Sequence, residues 1–377
     1  MGRIPKPAPG LAVDEILTTD HSAWLERSRP IGSSREGRPI HGFEAGRGEL
    51  LITLIGGCHA DEPVGPALLG RLAGHLSGLR SDHPLLAGLR WRIVPHVNPD
   101  GEAKNDVWAR DPQPLRDHRG EPDHGYDLAG YLSSVVRELP GDDIEFGFPS
   151  GAQTQGGEED PIRPENRAVA EFLAPGSASQ HLPICLHGSF HGMGLAPGPW
   201  FLIERSWIDR TTDLRKSLSG LVEAMGYRLF DAERHGEKGF HRIEPGFATR
   251  PDSRAMRYFF EQRGDPDEAA KFRPSSMEFA GANGDDPLTF VTEMPLFLTP
   301  SLPPGKVERR DLEAVRKMLL EALARGPAEL DRTAAELGVV AMPIRDQMAL
   351  QLALLREALQ AIERPDPGRF AGSDRQA

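Results

Sequence analysis

LITLIGGCHADE, at residues 51–62, is the most informative segment of this chain. Its first five residues are a short apolar run rich in Ile and Leu, which predicts a buried β-strand. Two glycines end the run, and His59 and Glu62 follow at a spacing of three. Open α/β sheets bind ligands at the carboxyl ends of their central strands. We therefore expect this imidazole and this carboxylate at such an edge.

Similar apolar runs alternate with amphipathic segments along the rest of the chain. Helices are expected over 63–79, 308–324 and 344–363, and strands over 89–95, 182–187, 199–203 and 288–293. This alternation predicts an α/β fold whose mostly parallel sheet is covered by helices on both faces.

Composition narrows the class of protein. The 377 residues carry a formal net charge of −12, which argues against a nucleic-acid binder, because such proteins need a basic face. Two cysteines exclude a disulfide framework. The N-terminal residues lack the apolar core of a signal peptide, and no apolar run approaches the length of a membrane span. We therefore expect a cytoplasmic protein without a membrane or nucleic-acid partner.

Two further apolar strands end in residues that can complete a metal site. His187 ends the strand over 182–187, and Glu293 ends the strand over 288–293. His191 is an alternative to His187, but the position directly at the strand end favours His187. Two neutral imidazoles and one carboxylate leave the fourth position of a zinc ion open for water. The sequence thus predicts His59, Glu62 and His187 as ligands of one Zn²⁺.

The remaining predicted groups serve hydrolysis of a carbonyl compound. A zinc ion lowers the pKa of its water towards about 7 and polarises a carbonyl oxygen. A free carboxylate must then move the proton to the leaving group, and Glu293 is the candidate. Arg110 is the candidate cation for the developing oxyanion. Asn98 opens the tight-turn sequence Asn-Pro-Asp-Gly, and it either shapes the site or contacts substrate.

At this point the chain resembles the zinc metallocarboxypeptidases of the carboxypeptidase A type, in order through most of residues 30–300. The matching elements are residues 31–40, His59 and Glu62, Asn98 to Gly101, His187, and Glu293 within Thr-Glu-Met-Pro. The resemblance implies a phosphorylase/hydrolase-like, eight-stranded mixed sheet with helices on both faces. It also implies one zinc ion and a peptide or peptide-like substrate.

The chain departs from the family at the residues that grip a terminal carboxylate. The family usually carries Asp-Leu-Asn-Arg, whereas this chain has Asp-Leu-Ala-Gly at 127–130. A bidentate Arg–carboxylate contact is hard to replace with a small residue. Arg250, Arg254 and Arg257 are candidates to supply the missing cation, and Tyr258 is the loose counterpart of the family's mobile tyrosine.

The leading prediction is a zinc-dependent hydrolase that cleaves an amide bond in a peptide or peptide-like substrate. The catalytic domain would span 11–303 and a C-terminal helical extension 304–364. One alternative is a deacylase or amidase acting on N-acyl amino acids or cell-wall peptides, which follows from the missing Asn and Arg. Another is an inactive zinc-binding scaffold, against which Glu293 argues, because a scaffold needs no proton shuttle. The oligomeric state is not indicated.

Overall fold

The computed structural model describes residues 10–20, 22–138, 143–149, 162–174, 182–232, 234–302 and 307–363. Within these ranges the strands are β1 (Arg29–Ser33), β2 (Pro39–Gly46), β3 (Leu50–Gly56), β4 (Leu89–Val94), β5 (Gln113–Arg116), β6 (Pro122–Gly125), β7 (Ile184–Ala196), β8 (Trp200–Ile203), β9 (Arg242–Glu244), β10 (Phe247–Thr249), β11 (Gly284–Leu298) and β12 (Val340–Ala341). The helices are α1 (Val13–Thr18), α2 (Val64–Gly78), α3 (Pro84–Ala87), α4 (Pro99–Ala109), α5 (Leu128–Ser134), α6 (Pro164–Leu173), α7 (Thr212–Ala224), α8 (Ser253–Glu261), α9 (Pro266–Ala270), α10 (Ser276–Ala282), α11 (Arg309–Arg325), α12 (Pro327–Glu336) and α13 (Ile344–Glu363).

The strands form one mixed sheet and a small separate hairpin. The order in the sheet is β1-β2-β4-β3-β7-β11-β8-β10-β9, with β12 paired to β11, while β5 and β6 form the hairpin. The four central strands β4, β3, β7 and β11 run parallel to one another. The prediction of a mixed, largely parallel sheet is confirmed, but the described residues contribute ten strands to it rather than eight. Strands of two or three residues, such as β9 and β12, carry no apolar run that a sequence pattern could reveal.

Both faces of the sheet are covered, because alternate residues of β3 join different core clusters. Ile52 and Leu54 pack into the cluster that includes residues of α2 and α13. Leu51 and Ile55 point the other way, towards residues of α10 and α6. Successive side chains of a strand point to opposite faces, so a strand buried on both sides reads as a continuous apolar run. Each fully buried Leu or Ile contributes about 1.5–3 kcal/mol to the stability of the fold.

The C-terminal helices pack on the sheet, and the last one braces two of its central strands. Buried residues of α13 belong to the same core cluster as β3 and β11. Gln351 of α13 donates to the carbonyl oxygen of His191 at 3.3 Å and to Thr292 Oγ1 at 3.0 Å. The predicted C-terminal helices are confirmed, whereas the division of the chain at residue 303 stays a prediction. Across the described ranges, none of the helices combines the length and apolar character that a membrane crossing requires.

Candidate metal and active site

The register of the central strands determines which side chains share the edge of the sheet. Gly56, the last residue of β3, is level with Phe190 of β7, which means that the two residues lie directly opposite each other in the strand register. The next residue of β7, His191, therefore lies where β3 ends. His191 is in turn level with Glu293 of β11. Neighbouring strands present level residues on the same face. Two residues that are 102 positions apart in the chain are therefore brought side by side.

A tight turn after β3 delivers the other two groups to this edge. Gly57 adopts a φ of +73°, and a Cβ atom there would lie 2.7 Å from the ring of His96. Glycine is the residue that tolerates both the positive φ and the close approach. The turn continues through His59 to Glu62, whose N–H donates to the carbonyl of His59 at 3.3 Å. Helix α2 then starts at Val64.

His59, Glu62 and His191 bring three potential ligand atoms together. His59 Nδ1 lies 3.2 Å from His191 Nδ1 and 3.0 Å from Glu62 Oε1, and His191 Nδ1 lies 3.0 Å from Glu62 Oε2. Ligand atoms around a tetrahedral zinc ion lie about 3.3 Å apart. Within the described residues, the buried Glu62 Oε2 accepts no hydrogen bond. Two ring nitrogens that face each other cannot both donate a proton to the other, whereas one cation satisfies both. The group therefore fits a zinc ion.

Both imidazoles have a polar partner on the side that faces away from this group. His59 Nε2 lies 3.1 Å from a Glu145 oxygen and 3.9 Å from Asp143 Oδ2. His191 Nε2 lies 2.8 Å from Ser189 Oγ. Metal-binding histidines usually bond their second nitrogen to such a partner, which fixes the ring orientation and the tautomer. This arrangement leaves both Nδ1 atoms directed at the shared centre.

The charges at this edge of the sheet keep the Glu62 carboxylate ionised and favour the protonated form of Glu293. Burial alone would raise the pKa of Glu62, but the positive charges of His59, Arg137 and His191 lower it well below its usual range. Burial and the neighbouring charge of Glu62 raise the pKa of the half-buried Glu293 to about 8. A carboxylate whose pKa lies near neutrality can both accept and release a proton, as acid–base catalysis requires.

The structure corrects the prediction that His187 is the third ligand. His187 is level with Thr53 in the middle of β3, four residues before the sheet edge. Its Nδ1 lies 2.8 Å from Thr53 Oγ1, and its Nε2 lies 3.1 Å from Ser276 Oγ, so both ring nitrogens already have partners. Strand β7 continues from His187 to Ala196. The imidazole that meets His59 and Glu62 is therefore that of His191.

The buried His187 predicts a pH-dependent stability. Burial and the charge of Arg250 lower the pKa of His187 to about 3, against about 6.5 in the unfolded chain. Between these values the unfolded state binds one more proton, so stability falls as the pH falls, by up to about 1.4 kcal/mol per pH unit. In metal-free protein, His187→Gln should make the slope of unfolding free energy against pH shallower by about this amount between pH 6 and 4. Urea titrations at several pH values measure it. An unchanged slope would contradict a neutral, buried His187.

Arg137, which sequence reasoning missed, provides the cation beside the three groups. Its Nη1 donates to Glu62 Oε1 at 2.8 Å and to both oxygens of Asp61 at 3.1 Å, and the side chain is 45% exposed. The predicted Arg110 does not join the group. It follows the exposed end of α4, where it pairs with Asp106 one turn earlier. Arg137 lies seven residues after Gly130, in a segment without a recognisable motif.

The other predicted substrate-binding residues occupy different places. Asn98 is buried and caps α4, accepting from the Gly101 N–H at 2.9 Å, and its amide donates to Glu138 at 2.5 Å. It therefore shapes the turn and holds the residue next to Arg137. Arg254 and Tyr258 lie on α8 with exposed side chains, Tyr258 being 62% exposed. Their contact with substrate stays a prediction.

Several solved structures are similar to this chain at a low level, and no curated protein matches it. Bovine thrombin-activatable fibrinolysis inhibitor is 16% identical with a TM-score of 0.46, the match covering 94% of this chain and 98% of that one. A metallo-carboxypeptidase from Burkholderia cenocepacia is 16% identical with a TM-score of 0.40, covering 91% and 68%. One from Pseudomonas aeruginosa is 16% identical with a TM-score of 0.42, covering 90% and 68%.

A family model gives the informative match. It covers a range that includes His59, Glu62, Asn98, Arg137 and His191, while Glu293 lies beyond it. The family model is described as zinc carboxypeptidase. The resemblance predicted from the motifs is thus confirmed: residues 18–197 of this chain match the zinc carboxypeptidase family.

Proposed function

We propose that this protein is a zinc-dependent hydrolase that cleaves an amide bond of a peptide or peptide-like substrate. The observation that carries the proposal is the convergence of His59 Nδ1, His191 Nδ1 and the Glu62 carboxylate within 3.0–3.2 Å of one another, with Glu293 level with His191 on the next strand. His59, Glu62 and His191 would hold one zinc ion. The match of residues 18–197 to a zinc carboxypeptidase family supports the same assignment.

The residues around the metal site have different roles in the proposed hydrolysis. When bound, zinc supplies a Lewis acid that polarises the carbonyl and acidifies water. The carboxylate of Glu293 takes the proton from the water whose oxygen bonds to the amide carbon. It then donates that proton to the amide nitrogen as the carbon–nitrogen bond breaks. Arg137, rather than Arg110, would stabilise the negative charge that develops on the carbonyl oxygen.

Removal of the metal should abolish activity reversibly. We expect a chelated, metal-free sample to hydrolyse a panel of short peptides about a thousandfold more slowly than the zinc form, since the metal provides several kcal/mol of charge stabilisation. One equivalent of zinc should restore the rate. Amine release measures the rate, and a sample taken through the same dialysis without chelator is the control. A metal-free sample that is as fast as the zinc form would contradict the proposal.

An amidase or deacylase is the second candidate, and the start of α5 favours it. Where the family carries Asn and Arg, this chain has Ala129 and Gly130 in the first turn of α5. Asp127 caps that turn by accepting from the Gly130 N–H at 2.6 Å. This turn therefore offers no side chain that could bind a terminal carboxylate. Equal rates on peptides with free and amidated C-termini would favour the amidase.

A further inference from the structure

A row of level residues extends from the metal site to an aromatic side chain. His191 of β7 is level with Glu293 of β11, and Glu293 is level with Trp200 of β8. Level residues on adjacent strands share one face and have Cβ atoms about 4.5–5.5 Å apart. Trp200 therefore lies next to Glu293, on the side opposite His191.

Arg234 is held over this tryptophan. Its guanidinium carbon lies 5.8 Å from the centre of the Trp200 ring and 5.4 Å from that of Phe240, and the two rings stack with centroids 5.5 Å apart. Trp200 is buried and Arg234 is half-buried. A guanidinium within about 6 Å of an aromatic face is attracted by the ring quadrupole. The two rings thus fix the position of this cation near Glu293.

Among the described residues, Arg234 has no carboxylate partner, unlike the arginines around it. It borders a cavity of about 340 Å³ that Arg309 and Arg310 also line. Arg309 pairs with Glu313 at 2.7 Å and Arg310 with Glu308 at 2.9 Å. In the part of the chain that the structure describes, no ion pair or hydrogen bond of the Arg234 side chain is found.

The electrostatics agree with this placement. Burial lowers the pKa of Arg234, and the negative charges of Glu237, Glu293 and Glu313 oppose that shift, whereas the positive charge of Arg309 adds to it. Glu293 is thus close enough to interact with Arg234 by charge. A half-buried cation without a counter-ion is costly. Arginine binds a carboxylate through two parallel hydrogen bonds, which makes a carboxylate the best-matched ligand.

We propose that Arg234 binds a carboxylate of the substrate beside the amide bond that is cleaved, so that peptides with a carboxylate next to that bond are preferred over neutral ones. This inference rests on the proposed function, because it places the bound carboxylate relative to Glu293. The carboxylate has two possible sources, the C-terminus of the peptide and an acidic side chain. Both present the same planar group to the guanidinium, and matched substrates separate them.

Kinetics on matched peptides test the proposal. One pair differs only in a free or amidated C-terminus, and a second, amidated pair carries Glu or Gln beside the cleaved bond. Arg234→Gln should raise KM at least about tenfold for the peptide whose carboxylate is bound, and leave the neutral peptide within about twofold. Arg234→Lys should recover part of the loss because it keeps the charge. Arg332→Gln, which removes an exposed arginine paired with Glu329 on α12, should leave both values unchanged.

An equal loss on charged and neutral peptides in Arg234→Gln would overturn the proposal, since it would indicate a structural effect.

A direct binding measurement separates this inference from the proposed hydrolysis. By calorimetry on zinc-loaded protein, the probe with the matching carboxylate, either N-acetylphenylalanine or the α-amide of N-acetylglutamate, should bind at least about tenfold more weakly to Arg234→Gln than to the unmodified chain, while N-acetylphenylalanine amide should show no such difference. Binding that depends on Arg234 without hydrolysis of any peptide would refute the hydrolase alone. Binding of both carboxylate probes that is indifferent to Arg234 would refute the carboxylate site alone.

Discussion

Glu293→Gln should lower kcat/KM for amide hydrolysis by about two to four orders of magnitude and leave the zinc content unchanged. Glutamine has the same shape as glutamate but cannot accept and return a proton. Glu293 is level with His191 across adjacent parallel strands, and burial together with Glu62 raises its pKa to about 8. The loss should fall mainly on kcat, because the carboxylate acts on the proton that moves in the transition state. Steady-state kinetics and atomic absorption on the same sample measure both quantities.

A matched substitution on the surface provides the control for this prediction. Glu321 lies on α11 with a 56% exposed side chain, paired loosely with Lys317 at 3.9 Å. Glu321→Gln should leave both activity and zinc content unaltered. Two results would remove Glu293 from its assigned role. Activity within a few-fold of the unmodified protein would show that no proton passes through it, and loss of zinc would show that it acts as a ligand instead.

The end of strand β3 could be predicted from the sequence because it depends on neighbouring residues alone. An apolar run of strand length followed by two glycines predicts a buried strand that ends there, and β3 ends at Gly56. The positions of His59 and Glu62 follow from the same reasoning, since both come just after that run. The prediction that Glu293 ends its strand is wrong, because β11 continues to Leu298. Whether these residues act as proposed stays a prediction.

The third imidazole could not be assigned from local pattern, because strand register is a non-local property. The run over 182–187 is apolar and the residues after His187 are small or polar, which suggests a strand end. Strand β7 instead continues, because Gly188 and Ser189 remain buried between β3 and β11. Only the pairing of Gly56 with Phe190 shows that the sheet edge is reached at His191.

The cations were missed for a related reason. Arg137 reaches Asp61 and Glu62 across more than seventy residues, and Arg234 reaches Trp200 from a segment without a regular pattern. Neither arginine is part of a motif, and an arginine in a loop is most often simply solvated. The Asn98 turn favours Arg110 as the cation, but α4 extends to Ala109 and Arg110 forms an ion pair with Asp106 instead.

The two histidines of β7 allow the ligand assignment to be tested within one strand. His191→Ala should abolish stoichiometric zinc binding and lower activity by about a thousandfold or more, because it removes one of three ligands and with it most of the charge stabilisation that the metal supplies. His187→Gln should retain one zinc ion per chain and most of the activity. Its cost should appear in stability instead, at about 1–3 kcal/mol, because Thr53 and Ser276 lose their buried partner.

Zinc per chain after gel filtration, peptide hydrolysis and urea unfolding measure these effects side by side. Both variants replace a buried histidine of the same strand, so a general effect of such a replacement on folding would appear in both. The assignment predicts a crossed result, in which one variant loses metal and the other loses stability. If His187→Gln released the zinc while His191→Ala kept it, the ligand set would have to be His59, Glu62 and His187. The register of β7 against β3 would then differ by four residues from the one described, since His187 would have to occupy the level that His191 now holds.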